Sequence, residues 1–270
     1  MSSLAGKVVI VTGATGAIGS VTSEMFAEEG SKVVLAARNT AAAEGIAARI
    51  RSKGGAAKAI EFNLAEETSI VAMIEKTVKE FGGLDVLVNN AAYLDSVNDG
   101  RDGDIESTDV EVWDRTYHAN ARGTMLSCKY ALRMMPRHAG ASIINVVSDQ
   151  ALSGSLVKLA YGSSKAAVIQ MTRAIATSHA RQGIRCNSVA PGLTLTPITR
   201  AVVPAPIREY IEGETLTPDL GEPADVAHMI VFLASSAAKH ITGQNIVIDG
   251  GMSAHNSGFA KMYELMAPRK

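Results

Sequence analysis

Residues 8–19 read Val-Val-Ile-Val-Thr-Gly-Ala-Thr-Gly-Ala-Ile-Gly. Val8–Val11 is apolar on every position, which is the pattern of a strand covered on both faces. Thr12–Gly19 is built of small residues, and a helical pattern then runs from Ile18 to Glu29. Small residues let a backbone approach a pyrophosphate closely. The start of the helix offers unpaired N–H groups and the positive end of a dipole. A glycine turn in isolation says little. Placed after a first buried strand and before a helix, it predicts the opening unit of a parallel α/β sheet that binds a dinucleotide.

The rest of the chain repeats that unit. Further apolar runs fall at Lys32–Ala36, Ala59–Phe62, Leu84–Val88, Ser142–Val147, Ile184–Val189 and Asn245–Ile248. Between them lie helical patterns at Ala41–Lys53, Glu67–Phe81, Asp109–Arg137, Ala160–Gln182 and Ala224–Ser235. In Glu67–Phe81, Ile70, Ile74, Val78 and Phe81 share one face. Such alternation predicts one doubly wound parallel sheet of about seven strands with helices on both faces. No linker or repeat divides it, so residues 1–252 read as one catalytic domain.

Two excursions interrupt the alternation. Tyr93–Ser107 is polar and rich in Asp and Gly. Residues 194–222 carry Pro197, Pro204, Pro206 and Pro218 around a short amphipathic piece, Pro206–Glu212. Long excursions at the carboxyl ends of strands are where such sheets bind ligands, so 194–222 is expected to be a lid. Residues 253–270 form an extension whose Phe259, Met262, Tyr263, Leu265 and Met266 suit a short amphipathic helix, either capping a cleft or fraying as a tail.

Composition narrows the setting. Apolar residues make up 47% of the 270 and the net charge is −1. No general attraction to nucleic acid or anionic membrane is expected. No apolar run nears the roughly 20 residues of a membrane span. The start of the chain lacks the pattern of a secretory signal, and the final Ala-Pro-Arg-Lys matches no lipidation signal. Cys128 and Cys186 lie far apart and read as reduced structural thiols, which points to the cytoplasm. The six histidines show no paired ligand spacing, so no metal is expected. Asp95–Glu106 superficially matches a calcium loop, but Val97 sits at a ligand position; a solvated acidic loop is expected instead.

The second run ends Leu35-Ala36-Ala37-Arg38. An acidic residue near this point would bind free ribose hydroxyls, and Ala37 supplies none. Arg38 could pair with a 2′-phosphate. NADP(H) is therefore the favoured cofactor, with NAD(H) the alternative.

Taken in order, several pieces resemble the short-chain dehydrogenase/reductase family, from near the first residue to Gly251. They are the Thr12–Gly19 turn, Asn63-Leu64, Asn89-Asn90-Ala91-Ala92, Asn120, Ser148, Tyr161-x-x-x-Lys165, Asn187, Pro191-Gly192 with Thr196, and Asp249-Gly250-Gly251. The resemblance implies a Rossmann-type fold and an alcohol dehydrogenase or ketone reductase. It implies that Tyr161 moves the proton, Lys165 assists it and holds the nicotinamide ribose, Ser148 binds the substrate oxygen, and Asn120 holds a water that relays protons. It implies that Gly13, Thr15, Gly16, Ile18 and Gly19 surround the pyrophosphate and that Asn63 and Leu64 flank the adenine. Asn90 and Ala91 would line the middle of the cofactor, and Pro191, Gly192, Thr194 and Thr196 its nicotinamide end. A homotetramer is implied as well, with Met125, Met134 and Met135 on a helix that packs between subunits.

Physical chemistry supports parts of this. Tyr161 and Lys165 are four apart in a helix and share a face. A phenol titrates near pH ~10, and a neighbouring ammonium should lower that value. The four-residue spacing also argues against an enoyl reductase, whose Tyr and Lys are usually farther apart. The chain departs from the family pattern at Ala17, Ala92 and Asn63, all on the cofactor track. The expected lid carries Val202, Val203, Pro204, Ala205, Ile207, Tyr210 and Ile211, with Tyr93, Gln150, Leu152 and Leu193 as cleft neighbours. A hydrophobic secondary alcohol or ketone follows as the expected substrate. The alternative is a silent regulator that keeps the cofactor fold without turnover.

Overall fold

A computed structural model describes residues 4–266. The expectations for residues 1–3 and for the final Ala-Pro-Arg-Lys lie outside the described residues. Seven strands form one sheet: β1 (Val8–Thr12), β2 (Lys32–Ala37), β3 (Ala56–Glu61), β4 (Val86–Asn89), β5 (Ala141–Val146), β6 (Ile184–Pro191) and β7 (Asn245–Ile248). Their order is β3-β2-β1-β4-β5-β6-β7, and every pairing is parallel. Succession therefore runs one way from β1 to β3 and the other way from β4 to β7. The switch falls between β1 and β4, where the carboxyl ends of the strands leave a crevice for ligands.

The helices are α1 (Ala17–Glu28), α2 (Thr40–Ser52), α3 (Glu67–Phe81), α4 (Asp95–Asn98), α5 (Val110–Thr116), α6 (Thr124–Met134), α7 (Leu159–His179), α8 (Pro197–Val202), α9 (Ala205–Glu214), α10 (Pro223–Ala234) and α11 (Phe259–Met266). Alternation along β1 shows how the layers form. Val9 and Val11 pack with Phe26 of α1, Ile46 and Ile50 of α2, and Ile230 and Leu233 of α10. Ile10 points the other way, to a core with Ile70, Met73 and Ile74 of α3 and with Leu126 and Ala131 of α6. Both faces of β1 are covered, which is why its apolar run has no polar interruption.

The boundaries differ from the sequence reading in informative places. The strand expected at Ala59–Phe62 occupies Ala56–Glu61, pairing Ala56 with Lys32. Partnership with β2 sets its start, and its own alternation is weak. On α3 the covered face is Ile70, Met73, Ile74 and Thr77, while Val78 is only half-buried. The single helix expected over Asp109–Arg137 is α5, a π-helical stretch Tyr117–Gly123, and then α6. Neither α4 nor α8 was expected. Within the same long helix, Met135 is core, whereas Met125 and Met134 are exposed.

Candidate active site

The glycine turn sits at the carboxyl end of β1, beside β4. Gly13 has φ +65°, a left-handed conformation that glycine adopts without strain. A Cβ on Gly13 would stand 2.9 Å from Ala91 Cα. A Cβ on Gly19 would collide with the Gly13 carbonyl oxygen and stand 2.8 Å from the Asn90 amide nitrogen. Asn90 donates that amide to the carbonyls of Thr12 (3.0 Å) and Gly13 (3.2 Å). The Thr12 hydroxyl in turn accepts the backbone N–H groups of Asn90 and Ala91. Asn90 and Ala91 thus brace the turn from β4.

This turn fits a bound pyrophosphate. The N-terminus of α1 has no side-chain cap and no acidic residue in its first turn. Its early N–H groups remain for an anion. The N-terminus of α2, in contrast, is closed by Asn39, whose side chain accepts the Ala42 N–H at 3.0 Å. Thr15 and Gly16 are exposed at the mouth, and Ile18 packs half-buried on the core. Arg38 is exposed directly after β2, with no ion pair among the described residues. Asn63 is engaged in its own turn, donating to Glu66 (2.6 Å) and accepting from the Ala65 N–H. One hydrogen of its amide is left for a ligand. Leu64 beside it is buried.

Ser148, Tyr161, Lys165 and Asn120 come from three separate elements. Ser148 follows β5 and caps a short 3₁₀ turn, Asp149–Ala151. Tyr161 and Lys165 lie in the first two turns of α7. Gly162 lets α7 approach the turn after Ser148, because a Cβ there would stand 2.7 Å from the Gln150 carbonyl oxygen. The Ser148 hydroxyl favours the ionised form of the Tyr161 phenol and donates to Asp149 Oδ1 at 2.9 Å. The Lys165 ammonium lies 5.7 Å from the Tyr161 ring centroid.

Asn120 is fully buried in the π-helical stretch. Its side chain accepts the Tyr93 N–H (2.7 Å), donates to the Tyr93 carbonyl (3.3 Å) and reaches Ser164 Oγ (3.4 Å). It therefore ties the loop after β4 to α7.

The electrostatics depart from expectation. Burial pushes the Tyr161 phenol up to about 12; Ser148 pulls it down, and the Asp149 carboxylate pushes it further up. Burial lowers the Lys165 ammonium to about 8. The sequence suggested that the ammonium would lower the phenol. Loss of solvation is the largest influence on both groups, so the phenol stands above its ordinary value and the ammonium below.

At the carboxyl end of β6, Pro191 closes the strand and the Gly192 N–H bonds to the Ile248 carbonyl. Thr194 bridges to Gly221, and the Leu195 N–H bonds to the Gly221 carbonyl at 2.7 Å. The 194–222 excursion thus leaves and returns at one point. Thr196 caps α8, accepting the Thr199 N–H at 3.0 Å. The Glu214 carboxylate, at the end of α9, accepts the N–H groups of Phe259 and Ala260 and so caps α11. Within the extension, α11 is thereby docked on the excursion.

Asp102, Asp149 and Glu214 were missed in the sequence. The loop expected to be a solvated acidic segment is solvated at Asp99, yet Asp102 is buried. Its carboxylate accepts the N–H groups of Ala160 and Tyr161, 58 and 59 residues away. No local pattern announces a partner at that separation. Cys128 and Cys186, distant in sequence, are buried and both bonded to Asn145. Burial pushes both thiols up, Cys128 to about 12, so they are unreactive.

Comparison with known proteins defines the class. The profile of a family described as enoyl-(acyl carrier protein) reductase matches residues 13–253. The 7alpha-hydroxysteroid dehydrogenase of Bacteroides fragilis is 40% identical over 256 residues, covering 95% of this chain and 98% of the relative. The cis-4-hydroxycyclohexanecarboxylate dehydrogenase of Sinomonas cyclohexanicum is 34% identical, covering 92% and 97%. The structure of a short-chain type dehydrogenase/reductase from Mycobacterium ulcerans superposes with a TM-score of 0.88 at 29% identity, covering 99% of this chain and 97% of that one. The fold, the braced glycine turn and these relatives together define a nicotinamide-type oxidoreductase. The chain belongs to the short-chain dehydrogenase/reductase family, whose members generally use NAD(P)(H).

Proposed function

We propose that this protein interconverts a hydrophobic, cyclic secondary alcohol and its ketone, with NADP(H) preferred over NAD(H). The observation that carries the reading is the convergence of Ser148, Tyr161 and Lys165 at the carboxyl end of β5, beside a glycine turn fitted to a pyrophosphate. Gly13, Thr15, Gly16, Ile18, Gly19 and Arg38 would hold the phosphate-bearing half of the cofactor. Asn63, Leu64, Asn90, Ala91, Pro191, Gly192, Thr194 and Thr196 would line the remainder. A bound nicotinamide supplies the hydride donor or acceptor.

The chain's own groups do the rest. In reduction, the neutral Tyr161 phenol donates its proton to the substrate oxygen. Burial supports that role by keeping the phenol protonated at neutral pH. In oxidation Tyr161 takes the alcohol proton, and its phenolate is favoured by the nearby Lys165 charge. Ser148 orients the substrate oxygen and stabilises charge developing there. Asn120 holds the loop at Tyr93 and leads the proton path from Lys165 toward solvent. The four-residue interval between Tyr161 and Lys165 supports carbonyl chemistry over enoyl reduction.

The substrate class rests on two supports. Both relatives are named for hydroxyl groups on carbocycles. The 194–222 segment, read as the lid, exposes Ile198, Val202, Ile207 and Tyr210. We further propose that 194–222 closes as a lid on one catalytic domain spanning 1–252, that four copies assemble, and that the enzyme works in the cytoplasm. Among the described residues no helix is long and apolar enough to cross a membrane.

The test is Tyr161→Phe assayed on a panel of cyclic ketones and alcohols. Turnover should fall by about 10²–10⁴-fold while NADPH binding persists. Near-normal turnover would overturn the assignment.

A further inference from the structure

Asp102 lies in the loop between α4 and α5, far in sequence from the proposed reacting groups. It is 2% exposed. Its Oδ1 accepts the N–H of Ala160 and its Oδ2 the N–H of Tyr161, both at 2.9 Å. These are two of the first N–H groups of α7, which have no partner inside the helix. The residue at the helix entrance, Lys158, supplies no side-chain cap and has φ +70°. A β-carbon is strained in that conformation, so something outside the helix must hold the entrance in place.

The backbone around Asp102 completes the hold. The Lys158 N–H bonds to the Asp102 carbonyl at 2.7 Å and the Leu159 N–H to the Gly103 carbonyl at 3.2 Å. The Asp102 N–H bonds to the Ser96 carbonyl at 3.0 Å, fixing the loop itself. Four successive N–H groups, from Lys158 to Tyr161, therefore end on two residues of one loop. Among the described residues Asp102 makes no ion pair. Its negative charge is matched by the positive end of the α7 dipole and by two charge-assisted hydrogen bonds.

We propose that Asp102 is a positioning residue for Tyr161, its carboxylate fixing the first turn of α7 so that the phenol meets Ser148 and the substrate oxygen. The inference rests on the reading of Tyr161 as the proton-transfer group. Its force comes from leverage. A displacement of about 1 Å at a reacting group can cost on the order of 10²-fold in rate. The backbone nitrogen of Tyr161 is itself one of the two atoms held. Asp102 acts on where the phenol stands, and among the described residues none of its hydrogen bonds reaches the glycine turn.

The experiment compares Asp102→Asn and Asp102→Ala with the parent enzyme and with Tyr161→Phe, on one substrate, with folded fraction measured by circular dichroism. Asparagine is nearly isosteric but offers one strong acceptor in place of two. Per folded molecule, kcat should fall about threefold to tenfold in D102N and more than tenfold in D102A. KM for substrate and the NADPH dissociation constant, read by fluorescence titration, should stay within about twofold. A purely structural role would lower the melting temperature and leave kcat per folded molecule at the parent value. That outcome in D102N overturns the proposal, whether or not D102A folds. So does an equal loss of NADPH affinity and kcat, which would mean general disruption of the cleft. If Tyr161→Phe retains turnover, the reading of Tyr161 fails and this inference fails with it. If Tyr161→Phe is inactive and D102N is normal, only the inference about Asp102 fails.

Discussion

The Lys165 ammonium donates to the carbonyl oxygen of Val146, the last residue of β5, at 2.9 Å. Among the described residues this backbone oxygen is its one hydrogen-bond partner, and the residue is 3% exposed. One neutral acceptor does not replace the hydration an ammonium loses, and the lowered value near 8 follows.

That shift makes a prediction about stability. Lys165 titrates near 10.5 unfolded and about 8 folded. The folded state therefore binds the proton less well. The penalty is full below pH 8 and vanishes above 10.5, so the contribution of Lys165 to unfolding free energy rises across that window. Lys165→Met in the cofactor-free protein should be more stable than the parent at pH 7, by roughly 1–3 kcal/mol. The gap should close toward pH 10. Denaturant melts at pH 7, 8.5 and 10 measure it; a constant difference would contradict the account.

Asp149 should set the pH dependence of alcohol oxidation. Its charge disfavours the Tyr161 phenolate, and it accepts the Ser148 hydroxyl. Oxidation needs the proton-accepting form of Tyr161, so its rate rises with pH. Asp149→Asn removes the opposing charge and should move the rising limb of kcat to lower pH. Ketone reduction at neutral pH should change less. A limb that stays put or moves up would exclude the electrostatic role of Asp149.

The glycine turn predicts unequal tolerance at two neighbouring glycines. A Cβ at Gly16 would lie 3.4 Å from the Gly13 oxygen, an ordinary contact, whereas one at Gly19 would collide with that oxygen. Gly16→Ala should change NADPH affinity and melting temperature little. Gly19→Ala should destabilise by about 1–3 kcal/mol and weaken NADPH by more than tenfold. Thermal melts and cofactor titrations of the two proteins decide it, and equal behaviour would be the failing result.

Arg38 predicts the cofactor. It is exposed where β2 ends and makes no ion pair among the described residues. Arg38→Ala should weaken NADPH by about tenfold, since a hydrogen bond to a charged group contributes on the order of 1.5–3 kcal/mol, and leave NADH within a factor of two. Adding Ala37→Asp should favour NADH. Steady-state assays with both cofactors test this; an unchanged ratio in the double variant would remove Arg38 from the account.

Much of the fold was legible because β1, β4 and β5 are covered on both faces and so read as unbroken apolar runs. The glycine turn, Ser148, Tyr161 and Lys165 could be singled out because the family pattern they resemble has those residue types in that order. Other features were not. β3 takes its register from β2, and its own residues alternate weakly. The π-helical stretch has no composition that separates it from α-helix. Asp102 looked like one more acid in a polar loop because its partners lie 58 and 59 residues away. Glu214 is the same case: it caps α11 from 45 residues off. A buried carboxylate that closes a remote helix leaves no periodic trace, since the helix it serves shows only an empty cap.

The π-helical stretch gives the enzyme a place where chain length and packing are separable. A wide turn absorbs one residue more than α geometry needs, while the flanking α5 and α6 keep their own phase. Loss of a single residue from Tyr117–Gly123 would tighten this turn into ordinary helix without rotating either flank against its neighbours. The shortened protein would keep its core, yet Asn120 would swing off Tyr93. Insertions and deletions at this one spot would therefore shift Asn120 while sparing the scaffold.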